Sequence, residues 1–275
     1  MRLKAPAGTT DTHMHFYDGA ASAAPGTPNP GHFTVPMYQE LQRRLGMSRV
    51  VVVQPNAYRD DNTVTLKSMK ALGNNAKGVA VVKPGTPEVE LERLTKSGIC
   101  AVRIMTLHGG MLGFDVMDTV VAQVHPLGWH ANVQLDGREL PRYEAQIKRL
   151  PGKFVIDHTG KFLEPVAVDS APFRSLLNLV DTGRCWIKLS AGFRLAGPAA
   201  WQDPDGDIEQ TAQTVAEALL ARVGTDRLLW GSDAPFVGYE KRLAYPDVLR
   251  TYRSWVPDAA RRAEIDRTAL RLFFA

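Results

Sequence analysis

Leu228-Leu229-Trp230-Gly231-Ser232-Asp233-Ala234-Pro235 is a short apolar run that gives way to a glycine, a carboxylate and a chain-turning proline. Near the other end of the chain, Thr12-His13-Met14-His15 sets two imidazoles two positions apart on a second short run. Side chains alternate along a strand, so His13 and His15 point the same way, about 6.6 Å apart by strand rise. Asp233 joins them at one point only if the first and last runs are neighbours, as the first and eighth strands of a closed barrel are. The pair alone is weak, because 7 His in 275 residues supply roughly 0.18 such pairs by chance. Its place in a larger order is what gives it weight.

Apolar runs ending in polar residues or glycine recur at 10–15, 49–54, 78–82, 101–105, 130–135, 154–158, 185–190 and 228–232. Most are rich in Val and Ile and apolar at nearly every position, the pattern of parallel strands covered on both faces. Helical periodicity fills the gaps, at 37–45, 62–72, 87–96, 115–128, 139–150, 172–181 and 208–223, and several of these segments stop at a glycine such as Gly46 or Gly128. Strands alternating with helices predict βαβ units. Eight of them predict one (β/α)8 TIM barrel, a single domain over residues 1–275, with a doubly wound open sheet as the alternative. No Gly-rich phosphate fingerprint follows the first strand. Residues 20–30 read as an irregular loop over the site, and 258–275 as a closing helix.

With 44% hydrophobic residues the chain can bury a full core. The net charge of 33 − 29 = +4 is small and scattered, which predicts no nucleic-acid partner and suits a small anionic substrate. No apolar run is long enough for a membrane span. Met1-Arg2-Leu3-Lys4-Ala5-Pro6 lacks a signal-peptide apolar region, and Cys100 and Cys185 are widely spaced; both are expected as reduced thiols in a cytoplasmic protein. Assembly as a homo-oligomer is left open.

In a barrel of this kind the active site lies at the C-terminal ends of the strands. There the runs place His13 and His15, Gln54 and Asn56, Arg103, Gln134 and Asp136, His158 and Lys161, Lys188, Ser190 and Arg194, and Asp233. Several have plainer readings. Lys188 can point outward by alternation, His158 can be a core histidine satisfied by Asp157, and Asp233 can be a helix cap. His108 is the one remaining histidine at this rim. Arg103 sits inside Ala101-Val102-Arg103-Ile104-Met105, where burying a guanidinium is costly unless an anion pairs with it. That anion is either a protein carboxylate or a substrate.

The set Asp11-Thr12-His13-Met14-His15, Gln54-Pro55-Asn56, Val102-Arg103-Ile104-Met105, Asp157-His158-Thr159-Gly160-Lys161, Trp186-Ile187-Lys188-Leu189-Ser190 and Trp230-Gly231-Ser232-Asp233 resembles, in this order, the amidohydrolase superfamily. The likeness is to its amidohydrolase-2 branch of 2-pyrone-4,6-dicarboxylate-type lactonases and galactarolactone isomerases. The resemblance implies His13, His15 and His158 around a substrate carbonyl, Asp233 as the proton-transfer group, and Arg103, Lys161 and Arg194 on substrate carboxylates, with Gln54 and Asn56 beside them. Members with a full metal centre carry a histidine at the end of strand five, where this chain has Gln134. The resemblance therefore implies either no cofactor or a single divalent metal such as zinc on His13, His15 and Asp233, with His158 as a further candidate ligand. The expected activity is that of a lactonase opening a carboxylated lactone, Asp233 activating water against a polarised carbonyl. Lactone isomerisation is the first alternative; metal-dependent decarboxylation and a noncatalytic binding protein stand behind it.

Overall fold

The computed structural model describes residues 4–5, 8–107, 109–164, 166–195 and 207–275. Eight strands, β1 (Thr10–Met14), β2 (Arg49–Val53), β3 (Ala76–Ala80), β4 (Ile99–Met105), β5 (His130–Gln134), β6 (Phe154–Ile156), β7 (Cys185–Leu189) and β8 (Leu228–Trp230), pair in parallel in chain order. Between and after them run α1 (Val35–Leu45), α2 (Thr63–Leu72), α3 (Glu88–Lys96), α4 (Phe114–Val124), α5 (Leu140–Arg149), α6 (Ala171–Val180), α7 (Asp207–Val223), α8 (Tyr245–Trp255) and α9 (Ala259–Phe273). The last strand meets the first just beyond its own end. Met14 bridges Ala234, the Asp233 N–H donates to the His13 carbonyl at 2.8 Å, and the His15 N–H donates to the Ala234 carbonyl at 2.8 Å. These contacts close the (β/α)8 barrel that the alternating pattern predicts.

Local chemistry explains the elements. α4 turns Phe114, Met117, Val120, Val121 and Val124 to the sheet, a helical stripe in which each buried side chain contributes about 1.5–3 kcal/mol. α6 starts at Ser170, whose hydroxyl accepts from the Phe173 N–H, followed by Pro172 in the first turn. α1 ends at Gly46 with φ 81°, a left-handed cap that disfavours a β-carbon. α9 is the expected closing helix, capped by Asp258. It is anchored on β1, where Asp266 accepts from the Thr9 hydroxyl at 2.8 Å and from the Thr10 N–H at 3.3 Å.

Two apolar clusters result. The larger lies between sheet and helices. The smaller takes Val51, Val53, Val79, Ala101, Val155, Trp186 and Leu229 from the barrel interior, and Phe273 of α9 packs against it from the N-terminal end. Strand β3 runs two residues earlier than the apolar run suggests, because the ladder pairs Val50 with Ala76 while Val81 and Val82 continue past its end. Helix α8 is absent from the sequence expectation altogether. Cys100 and Cys185 are free thiols, and among the described residues no helix is long and apolar enough to cross a membrane.

Candidate active site

The functional side chains stand where strands end and the backbone turns sharply. His158, Thr159, Lys161, Ala191, Asp233 and Phe236 all have positive φ, a region that costs free energy for any residue with a β-carbon and often marks functional loops. Asp233 is held on both sides. Its N–H is bonded across to β1, and the preceding Ser232 is gripped by Asp11, whose carboxylate accepts from the Ser232 N–H at 2.8 Å and hydroxyl at 2.6 Å. Asp11 also accepts from Tyr38 and Tyr245, on α1 and α8. The sequence reading quoted Asp11 in a motif without seeing this clamp.

Three imidazoles converge on one carboxylate oxygen. The Nε2 atoms of His13, His15 and His158 lie 3.8, 3.6 and 3.8 Å from Asp233 Oδ1. The other oxygen, Oδ2, accepts from Arg194 Nε at 2.6 Å. Burial alone would raise the Asp233 carboxyl, but the Arg194 guanidinium at 2.6 Å holds it well below the ordinary carboxylate range, so it is ionised at neutral pH. Burial lowers all three imidazoles, His13 to about 3 with help from Lys188, and they stand neutral. Their outer nitrogens differ. His15 Nδ1 is 2.8 Å from the Val53 carbonyl, which can only accept, so this nitrogen carries the proton and Nε2 is bare. His158 Nδ1 faces the Ser190 hydroxyl at 3.0 Å, which supports either tautomer.

Above them opens a cavity of about 380 Å³ lined by His15, His158, Asp233, Arg103, Lys161, Arg194 and Asn56, together with Tyr17, Gln134 and Tyr239. Arg103 donates to the Gln54 carbonyl at 2.7 Å, Asn56 Oδ1 at 3.1 Å and Gln134 Oε1 at 3.0 Å. All are neutral acceptors. Its Nε is buried without a partner, and no carboxylate lies within ion-pair distance of it among the described residues. Burial and then Arg194 push the Lys161 ammonium down to about 7. The cavity wall thus carries two guanidiniums and a Lys161 amine that is part-charged at neutral pH against one carboxylate. Gln54 stands behind it: its side chain holds the β2 loop through Arg59 and Asp61 carbonyls and Thr65, and it serves the cavity through its backbone carbonyl on Arg103. Tyr17 was missed, although its place two residues beyond His15 continues the same alternation.

Beneath the cavity two of the plainer readings fail. Lys188 points inward, because the Ile156–Ile187 register pair puts Val155 with Trp186, and hence Asp157 with Lys188, on the interior face. Asp157 pairs with Lys188 at 3.0 Å, and the ring nearest it is that of His13, at 3.4 Å; His158 turns to Ser190 instead. His13 is fully buried and does not line the cavity. Asp136 is engaged by Arg138 at 2.6 Å. His108 lies outside the described residues.

A divalent ion on these histidines was tested against the donor set. His13, His158 and Asp233 bring ligand atoms within 4.8 Å of one another, a seat that takes the further candidate His158 and leaves out His15. Its surroundings are cationic. Lys188 Nζ is 3.1 Å from His13 Nδ1, where a metal-bound histidine normally finds an acceptor, and the Arg194 guanidinium already neutralises Asp233. The residues do not fit a divalent ion, and no step below uses one.

A barrel that gathers neutral imidazoles, one ionised carboxylate and cationic side chains at its C-terminal rim has the form of an enzyme site rather than a packing core. Residues 10–275 match the amidohydrolase family Amidohydro_2, and the chain belongs to that family. It is 32% identical to a D-galactarolactone isomerase of Agrobacterium fabrum over 94% of this chain and 87% of that protein. It is 28% identical to a 2-pyrone-4,6-dicarboxylate hydrolase of Comamonas testosteroni, over 98% and 89%. A crystal structure from Agrobacterium tumefaciens superimposes with a TM-score of 0.86 at 28% identity, covering 99% of this chain and 97% of that one.

Proposed function

We propose that this chain is a hydrolase that opens the ring of a carboxylated lactone. The observation that carries the reading is Arg103, a buried guanidinium with no protein carboxylate, in the same cavity as the ionised Asp233. A substrate carboxylate completes Arg103 through paired charge-assisted hydrogen bonds and fixes the ring beside Asp233.

The two imidazoles that line the cavity, His15 and His158, then divide the work. Water held between Asp233 Oδ1 and the bare His15 Nε2 donates one hydrogen to each, leaving an oxygen lone pair for the carbonyl carbon. As the water oxygen–carbon bond forms, Asp233 takes the water proton. His158, with Ser190 donating to Nδ1, offers its Nε2–H to the developing oxyanion; one such preorganised donor is worth about 2.7–4 kcal/mol. Collapse breaks the carbon–ring-oxygen bond, and the proton on Asp233 passes to the departing oxygen. The product is an open hydroxy acid.

A second reading is lactone isomerisation, in which a substrate hydroxyl replaces water; the isomerase relative favours it. A panel of sugar-acid and muconate-derived lactones, followed by acid release and proton NMR, tests both. Open hydroxy acid is expected. A new lactone without acid release overturns hydrolysis in favour of isomerisation, and no turnover of any carboxylated lactone overturns both.

A further inference from the structure

Barrel interiors of this kind are normally filled by layers of branched apolar side chains. Here Val155 and Trp186 pair as apolar interior positions, but the next interior positions on β7 and just past β6 hold Lys188, paired with Leu229, and Asp157, both with no exposure. A buried ion pair contributes little to stability compared with apolar residues of the same volume. The function of this one is sought in what it touches. Asp157 Oδ1 receives Lys188 at 3.0 Å and Asn132 Nδ2 at 3.2 Å, while its Oδ2 has no partner. The remaining neighbour of both side chains is His13, whose Nδ1 lies 3.1 Å from Lys188 Nζ and 3.4 Å from Asp157 Oδ1.

The His13 ring is neutral, with one proton to place on one of two nitrogens. Asp157 stays ionised, since Lys188 holds it well below the ordinary range although burial alone would raise it. Burial lowers Lys188, and Asp157 opposes this from 3.0 Å. An ammonium has only protons to offer. The nearer group at Nδ1 is therefore a donor, the ring proton goes to Nε2, and Nε2–H faces Asp233 Oδ1 at 3.8 Å with no other partner. The opposite tautomer would turn a bare lone pair toward the same carboxylate oxygen and would complete a seat for a metal ion.

We propose that the Lys188–Asp157 ion pair is a positioning device that holds His13 as its Nε2–H tautomer, so that His13 orients the Asp233 carboxylate and does not serve as a metal ligand. Donor and acceptor alternate along the chain Asp157, Lys188, His13, Asp233. The inference rests on Asp233 being the proton acceptor of the proposed hydrolysis, yet the tautomer is read without substrate, so the two ideas fail separately.

The test is a long-range proton–nitrogen correlation spectrum of histidine-labelled, substrate-free protein, with the His13 signals assigned by their loss in His13→Gln. Wild type is expected to show a protonated Nε2 and a bare Nδ1. In Lys188→Met, Asp157 becomes the only polar neighbour of Nδ1. The proton is then expected to move to Nδ1, kcat to fall about 10–100-fold, as when a group orienting a histidine is lost, KM to hold, and zinc retention to rise when the protein is purified with zinc present. Lys188→Arg, which also has only protons to offer, should keep the wild-type tautomer and serves if the Met variant does not fold. A wild-type His13 protonated on Nδ1 overturns the proposal. So does an unchanged tautomer in Lys188→Met, a proton on Nδ1 in Lys188→Arg, or stoichiometric zinc held by His13 in wild type.

Discussion

Asp233→Asn removes the base while leaving its scaffold. The Asp233 N–H bond to the His13 carbonyl is backbone and survives, φ 61° is a conformation that asparagine adopts readily, and the amide oxygen still accepts from Arg194 as Oδ2 does at 2.6 Å. What is lost is an anion able to take a proton. General-base assistance is typically worth about 10²- to 10⁴-fold, or about 2.7–5.4 kcal/mol of transition-state stabilisation, and kcat is expected to fall by that factor. Binding should move the other way. The cavity's cationic side chains lose their one opposing charge, so an anionic substrate binds at least as well and KM stays level or drops. Initial rates by pH-indicator absorbance, on a lactone that wild type turns over, give both constants. Circular dichroism and the melting temperature check that the fold is kept. A variant with wild-type kcat would refute the assignment of Asp233 as base, whatever happened to KM.

Arg103→Lys exchanges a fork with three hydrogen bonds at 2.7–3.1 Å for a single ammonium. The loss of one charge-assisted bond, about 1.5–3 kcal/mol, should raise KM roughly ten- to a hundredfold with a smaller change in kcat; unchanged KM would mean that the substrate carboxylate sits elsewhere. Gly231→Ala places a β-carbon 2.8 Å from His13 Cβ and 2.9 Å from its backbone nitrogen, an overpacking expected to cost about 1–3 kcal/mol in urea unfolding. Activity should fall with it, and full stability would show that the β8–β1 approach is looser than described. His13 titrates at about 3 when folded against 6.5 as the free group, so the unfolded chain binds its proton first. Stability from this residue is full above pH 6.5 and lost progressively as pH falls toward 3, amounting to about 3 kcal/mol by pH about 4.5. Thermal unfolding from neutral to acid pH should show a shallower loss in His13→Gln than in wild type, and parallel curves would contradict the buried neutral imidazole.

The barrel was legible because eight apolar runs at regular spacing admit few architectures, and the rim residues followed from where those runs stop. Alternation gave the common direction of His13 and His15 but not the phase of β7, which depends on the register Ile156–Ile187; the sequence left both faces open to Lys188, and the fold takes the inner one. Asp157 as the partner of its chain neighbour His158 was one plain reading, whereas the fold sets it against β7 and β1. Helix α8 carries a readable stripe, Tyr245, Val248, Leu249, Tyr252 and Trp255, but it follows a polar loop instead of a strand and so falls outside the strand–helix count. The Gln54 side chain could not be placed without knowing that the β2 loop folds back over it.

The bonds that join His13 and His15 to Asp233 and Ala234 also shut the barrel, and Asp11 locks the same seam through Ser232. The three ladder residues of β8 pair with β7, and among the described residues a single bridge, Met14 to Ala234, joins the seam beyond them. Local opening there requires far less than global melting, and it parts the base from its imidazoles at once. Heating or mild denaturant should then silence turnover while the helical signal is still intact. Any variant that gains speed by loosening Asp233 would draw that freedom from the stitching that keeps the cylinder whole.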